Sequence, residues 1–131
     1  MKLNSFKKQA GLTLIEVTLV IAVLLGLISV LFIGVGAYKE GSDRAKCILN
    51  ITNTQKAVRS YQNMYEKEIA DSLPLTDIVG TGRMLETTPA CPAGGAYTAV
   101  GSIPVIGTAY LTCDYQAGTA NAHAPKSTSG W

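Results

Sequence analysis

The longest apolar stretch of the chain, residues 12–37, predicts a helix that can cross a membrane. Its one ionisable side chain is Glu16, which lies near the start of the stretch. At about 1.5 Å per residue the stretch makes a helix of about 39 Å, and a bilayer core is about 30 Å thick. No proline interrupts it. We therefore expect a transmembrane helix over residues 12–37.

Beyond residue 38 the pattern becomes amphipathic and predicts that the same helix continues to about residue 69. One stripe recurs at spacings of four and three, which is typical of a single helical face. Its members are Cys47, Ile51, Thr54, Val58, Tyr61 and Tyr65. Pro74 disfavours helix in the residue before it, so the helix is expected to end by then.

The remaining pattern predicts short elements and a tail. Residues 75–85 suit a short helix or loop, and 88–95 are rich in proline and glycine, as turns are. Residues 96–100 and 108–115 are typical of two short strands. Residues 116–131 are small, polar and without a period, which predicts a flexible tail. The expected fold is α+β, a long helix packed on a small antiparallel hairpin, with a globular part over 38–115.

Length and charge exclude some classes of function. The chain has 131 residues and a net charge of +2. Once the long helix is set aside, little chain is left for a large enzyme core, so we do not expect an enzyme. The charge is too small to indicate nucleic-acid binding by bulk electrostatics.

Three cysteines, Cys47, Cys91 and Cys113, raise the question of a disulfide. Cys91 and Cys113 flank the predicted hairpin, and closing a loop of about 23 residues stabilises by about 3 kcal/mol in the chain-entropy model. We expect a Cys91–Cys113 disulfide. A bridge from Cys47 to either of them, or three free thiols, stays open. Cys47 also suits the apolar stripe as a small hydrophobic residue.

The other candidate chemistry is sparse. His123, the single histidine, lies in the polar tail and is expected to be solvated. Asp71, Asp77, Glu86 and Asp114 are scattered and lack the spacing of a calcium loop. We therefore expect no metal, no cofactor and no catalytic residues.

Glu16 is the residue whose chemistry needs an explanation, because a carboxylate within a membrane span is costly. It can snorkel to the interface, or it can pair with a cation at the same depth. No lysine or arginine lies in the span. A new α-amino group at Leu12, made by cutting after Gly11, would supply a cation.

Residues 11–16 (GLTLIE), with the lysines before them and the apolar run after them, resemble the class III signal of type IV pilins and type II secretion pseudopilins. The resemblance implies that residues 1–11 are a leader. A prepilin peptidase would remove it between Gly11 and Leu12 and methylate the Leu12 amine. Glu16 would then act in assembly. Residues 90–97 (ACPAGGAY) with Cys113 downstream are similar to the Cys-Pro-x-Gly-Gly-x-Tyr turn of small pilin-like proteins.

This resemblance implies a structural subunit of a type IV pilus-like filament. The subunit would enter the bacterial inner membrane with its N-terminus cytoplasmic and then assemble into an extracytoplasmic filament. Its implied partners are copies of itself, other pilins, the prepilin peptidase, an assembly platform protein and membrane lipid. A secretion pseudopilin, a DNA-uptake pilin and a plain single-pass membrane protein remain alternatives.

Overall fold

The computed structural model describes Gly11 and residues 13–131, and one long helix takes up much of that length. In chain order the elements are helix α1 (Leu14–Met64), helix α2 (Leu75–Ile78), strand β1 (Tyr97–Ala99) and strand β2 (Leu111–Cys113). The two strands form one antiparallel sheet. The predicted α+β class, with a long N-terminal helix and a small hairpin, is confirmed.

The chain divides into two compact units, and the boundary falls within α1. The first ends at Tyr38 and the second comprises residues 39–131. In the first unit, residues 14–38 are helical and every large apolar side chain is at least 40% exposed. The second unit has a buried core of its own.

The part of α1 in the second unit contributes the predicted stripe to that core. Cys47, Ile51, Thr54 and Val58 are at most 1% exposed, which confirms the stripe over these residues. Toward the end of the helix the side chains emerge, and Tyr65 is 57% exposed.

The helix ends at Met64, about one turn before the predicted end. Glu66 adopts a left-handed backbone conformation with φ of 49°, and the Lys67 N–H donates to the Gln62 carbonyl at 3.0 Å. This six-to-one bond with a left-handed residue is a Schellman motif, which closes helices. Because glycine usually occupies that position and glutamate does here, the sequence carried no local signal for it.

The hairpin is shorter than predicted, with Tyr97 opposite Cys113 and Ala99 opposite Leu111. Just before β2, a side chain of α1 forms hydrogen bonds with the backbone. The buried Gln55 side chain accepts from the Tyr110 N–H at 2.8 Å and donates to the Thr108 carbonyl at 3.3 Å. Both ends of a buried amide are thus paired, which fixes the hairpin against α1.

The core continues through the segment that follows α1. Leu73 and Ile78 are fully buried, and the fully buried Tyr110 hydroxyl donates to the Leu73 carbonyl at 2.6 Å. Within the predicted 75–85 element, α2 covers only the first turn. A backbone bridge then pairs Val79 with Leu85.

Residues 116–131, the predicted flexible tail, belong to the second unit and pack partly against its core. His123 is 1% exposed and Trp131 packs against the core. Isolated hydrogen bonds, and not a regular helix or strand, hold this segment in place. The His123 N–H donates to the Tyr115 carbonyl, and the Gly107 N–H donates to the Trp131 carbonyl at 3.0 Å.

Candidate functional site

The start of α1 places Glu16 in a capping box. The Thr13 N–H donates to the Glu16 carboxylate at 2.9 Å, and the Glu16 N–H donates to the Thr13 hydroxyl at 3.4 Å. Two N–H groups that a helix N-terminus leaves unpaired are thereby satisfied. A threonine three residues before a glutamate is the sequence signal for this motif. It is a third interpretation of Glu16, beside snorkelling and pairing with a cation.

The cleavage and methylation expectations fall at the edge of the described residues. Gly11 is exposed and lies outside any helix. Leu12 and residues 1–10 lie outside the described residues. Cleavage between Gly11 and Leu12 and methylation of Leu12 therefore stay predictions.

Among the described residues, α1 is long and apolar enough to cross a membrane, and its most apolar window has no buried part. The exposed surface is continuous, because large apolar residues occur on every turn from Leu14 to Val35. Soluble monomers rarely expose apolar patches larger than a few hundred Å². This part of α1 is therefore compatible with a transmembrane helix.

In the second unit, three thiols and an imidazole converge. Cys47, Cys91, Cys113 and His123 each offer one ligand atom, and the four atoms lie within 4.8 Å of one another. We call this group the thiol–imidazole cluster. Each member comes from a different part of the fold, since α1, the turn before β1, the end of β2 and the C-terminal segment contribute one each.

The expected Cys91–Cys113 disulfide stays a prediction. Cys91 and Cys113 are free thiols, and so is Cys47. The three sulfurs lie within 4.8 Å of one another, so proximity alone does not single out one pair. Cys47 and Cys91 are buried, and Cys113 is partly buried.

His123 was expected to be solvated, and this expectation is wrong. Its ring lies 4.5 Å from the ring of Tyr115, centre to centre, and its Nδ1 atom is 3.5 Å from the Cys91 sulfur. The expectation of no metal site considered the scattered acidic residues. The sequence signal that could have found this cluster is three cysteines together with one histidine, which is a complete donor set for a tetrahedral metal.

The pKa of the three thiols is shifted in different directions. Burial raises the pKa of the Cys47 thiol to about 12, although the Tyr97 hydroxyl, which donates to its sulfur at 3.1 Å, opposes this. Burial also raises the pKa of the Cys113 thiol. Burial acts in the same direction on Cys91, but hydrogen bonds from the Gly95 and Ala93 backbone and from the two neighbouring thiols together lower the pKa of that thiol.

A hydrogen-bond network surrounds Cys47. The Tyr97 hydroxyl also approaches the Cys47 carbonyl at 3.3 Å. The Asn50 side-chain amide donates to the Tyr97 oxygen at 3.3 Å and to the Ala90 carbonyl at 3.0 Å. The carbonyl of Ala90 precedes Cys91, so Asn50 links α1 to the turn that holds the second thiol.

Compared with models of protein families, with curated proteins and with solved structures, the chain matches none of them.

Proposed function

We propose that the protein is a structural subunit of a type IV pilus-like filament. It would be inserted in the membrane as a precursor, cut after Gly11 and assembled by packing of its apolar helices. The observation that carries the proposal is the exposed apolar surface of residues 14–38. Hydrophobic burial contributes about 25 cal/mol per Å², so such a surface strongly favours either lipid or other copies of the same helix.

Glu16 gives the assembly a register. In a filament core the carboxylate would pair with the α-amino group of Leu12, in its own chain or a neighbour. A shifted register would leave a carboxylate buried without its cation. Breaking a buried ion pair in this way costs about 3–5 kcal/mol.

The exposure of Gly11 supports processing by a prepilin peptidase, since a cut bond must be reached by the enzyme. The subunit would start in the bacterial inner membrane and end in an extracytoplasmic filament. Other pilins, an assembly platform protein and lipid would be its partners. A type II secretion pseudopilin and a DNA-uptake pilin are variants of the same proposal, because both assemble through the same helix.

One observation favours a second candidate, a plain single-pass membrane anchor. The capping box gives Glu16 hydrogen-bond partners within its own chain. On this view residues 1–11 stay in the mature protein and Glu16 only begins the helix. A Thr-to-Ala change at such a cap costs about 0.5–2 kcal/mol of helix stability.

Two substitutions separate the candidates. Glu16→Gln keeps an oxygen that can accept from the Thr13 N–H but removes the charge. Thr13→Ala removes the hydroxyl of the cap but keeps the charge. Each variant is produced together with a prepilin peptidase and an assembly platform. Filaments are counted by electron microscopy of the sheared fraction, and the intact mass of the membrane form is measured.

The filament proposal predicts that Glu16→Gln inserts normally and makes no filaments, whereas Thr13→Ala still assembles. It also predicts a mass that lacks residues 1–11. Normal filaments from Glu16→Gln would sink the register role. An intact mass that retains residues 1–11 would favour the plain anchor.

A further inference from the structure

We propose that the thiol–imidazole cluster is a structural zinc site. Cys47, Cys91 and Cys113 would bind Zn²⁺ through their sulfurs, and His123 would bind through Nδ1. This inference rests on the second unit alone and does not depend on the filament proposal.

The geometry suits a tetrahedral metal. Zinc binds thiolate sulfur at about 2.3 Å and imidazole nitrogen at about 2.0–2.1 Å, which puts neighbouring ligand atoms about 3.5–3.8 Å apart. The Cys91 sulfur and His123 Nδ1 are already 3.5 Å apart. The whole set lies within 4.8 Å, so closing onto a metal needs movements of about 1 Å at most.

The donor atoms select the metal. Three thiolates and one imidazole form a closed set of four, as in structural zinc sites that leave no position for substrate. Calcium and magnesium require oxygen ligands, which this cluster does not provide. Iron–sulfur clusters usually take four cysteines, and the chain has three.

Polar groups are directed at two of the sulfurs that would bind zinc. Backbone N–H groups of Ala93 and Gly95 donate to the Cys91 sulfur, and the Tyr97 hydroxyl lies 3.1 Å from the Cys47 sulfur. Three thiolates, Zn²⁺ and a neutral imidazole carry a net charge of −1. Donors directed at the sulfurs stabilise this charge, as outer-shell partners do in known metal sites.

Gly95 gives the turn its close approach to a second sulfur. A Cβ at this position would lie 2.9 Å from the Cys113 sulfur and 2.7 Å from the Tyr115 Cβ. Only glycine therefore lets the turn that carries Cys91 pack directly on the strand end that carries Cys113.

Zinc also accounts for the full set of buried groups, which a disulfide does not. A disulfide would use two sulfurs and leave a third thiol and a buried imidazole without a role. Zinc would use all four and join α1, the turn, β2 and the C-terminal segment. Binding converts three thiols to thiolates and releases three protons for each Zn²⁺ ion. Small domains commonly depend on such a metal for stability.

The experiment titrates the full chain in detergent micelles. The cysteines are first reduced with a metal-free phosphine and the protein is stripped of metal. Zn²⁺ is then added in competition with a chromophoric chelator, and Co²⁺ serves as the spectroscopic probe. We expect one metal per chain, the visible bands of tetrahedral cobalt and thiolate-to-cobalt charge transfer, with Zn²⁺ displacing Co²⁺.

Variants test each ligand. Cys113→Ser and His123→Ala should weaken zinc binding by more than the roughly 10–100-fold that loss of an outer-shell partner causes. His123→Cys supplies a fourth thiolate and should retain one zinc per chain, which separates loss of a ligand from loss of folding. Glu86→Gln changes an exposed carboxylate outside the cluster and should bind zinc as the wild type does.

Three results would overturn the proposal. One is a reduced chain that binds no zinc. Another is unchanged cobalt spectra and zinc affinity in His123→Ala, which would remove His123 as a ligand. The third is a chain isolated without reductant that contains a disulfide between two of the cysteines and no zinc.

Discussion

The two units of the molecule are stabilised in opposite ways. In residues 14–38 the backbone pairs its own hydrogen bonds along α1, while the large apolar side chains stay exposed. In residues 39–131 the apolar side chains meet one another, and core residues such as Ile51, Leu73 and Ile78 are at most 1% exposed. The apolar side chains of the first unit are therefore open to lipid or to other helices, whereas the second unit buries its own.

This difference predicts that substitutions in one unit leave the other unaffected. Exposed apolar residues in the first unit should matter for membrane insertion and assembly. Buried residues in the second should matter for its free energy of unfolding. Mutations at distant sites without shared partners usually add independently, which makes the comparison testable.

The largest effect is expected from Ile51→Ala in the second unit. Ile51 is 1% exposed, and such a truncation leaves a cavity that costs about 2–5 kcal/mol. Leu49→Ala is the matched control on the same helix, because Leu49 is 56% exposed and surface changes stay within about 0.5 kcal/mol. Denaturant unfolding of the full chain in micelles, followed by tyrosine fluorescence, measures both. Equal effects would contradict the assigned core.

The next effect is expected from Leu25→Lys near the middle of the apolar stretch. Leu25 is 60% exposed, so the change breaks no contact in the fold. A lysine at the centre of a membrane helix costs about 2.5–3.5 kcal/mol for insertion. We expect loss of the carbonate-resistant membrane fraction, with unfolding of the second unit unchanged. Leu25→Met is the control, and full retention of Leu25→Lys in the membrane would argue against a span.

A smaller effect is expected from Tyr110→Phe. The Tyr110 hydroxyl is buried and donates to the Leu73 carbonyl at 2.6 Å, so its removal leaves a buried acceptor unpaired. This costs about 1–3 kcal/mol at neutral pH. A free energy of unfolding that equals the wild type's would show that water replaces the lost donor.

The same residue predicts a dependence on alkaline pH. Burial, aided by the charge of Asp77, raises the pKa of Tyr110 above its ordinary value of 10.0. Its contribution is complete below pH 10 and is lost as the pH rises through the folded-state pKa, because the unfolded chain releases that proton first. Cys47 and Tyr97 shift in the same direction. The measurement is therefore the difference in free energy of unfolding between the wild type and Tyr110→Phe, which should shrink above pH 10.

What the sequence determined by itself is the local structure. An apolar run and a stripe at spacings of three and four define a helix through neighbouring residues, so α1 and the buried positions Cys47, Ile51 and Val58 could be predicted. The hairpin could be located because its turn residues and its two short strands are also signals carried by neighbouring residues. Thr13 and Glu16, three residues apart, also held a readable local signal.

The tertiary structure decided the rest. Cys47, Cys91, Cys113 and His123 are far apart along the chain, and no periodicity relates them. Each residue is placed by its own element, and they meet only because the core brings those elements together. The burial of His123 follows from the same packing, since a segment without a period is ordered here by single hydrogen bonds to the hairpin and not by a pattern of its own.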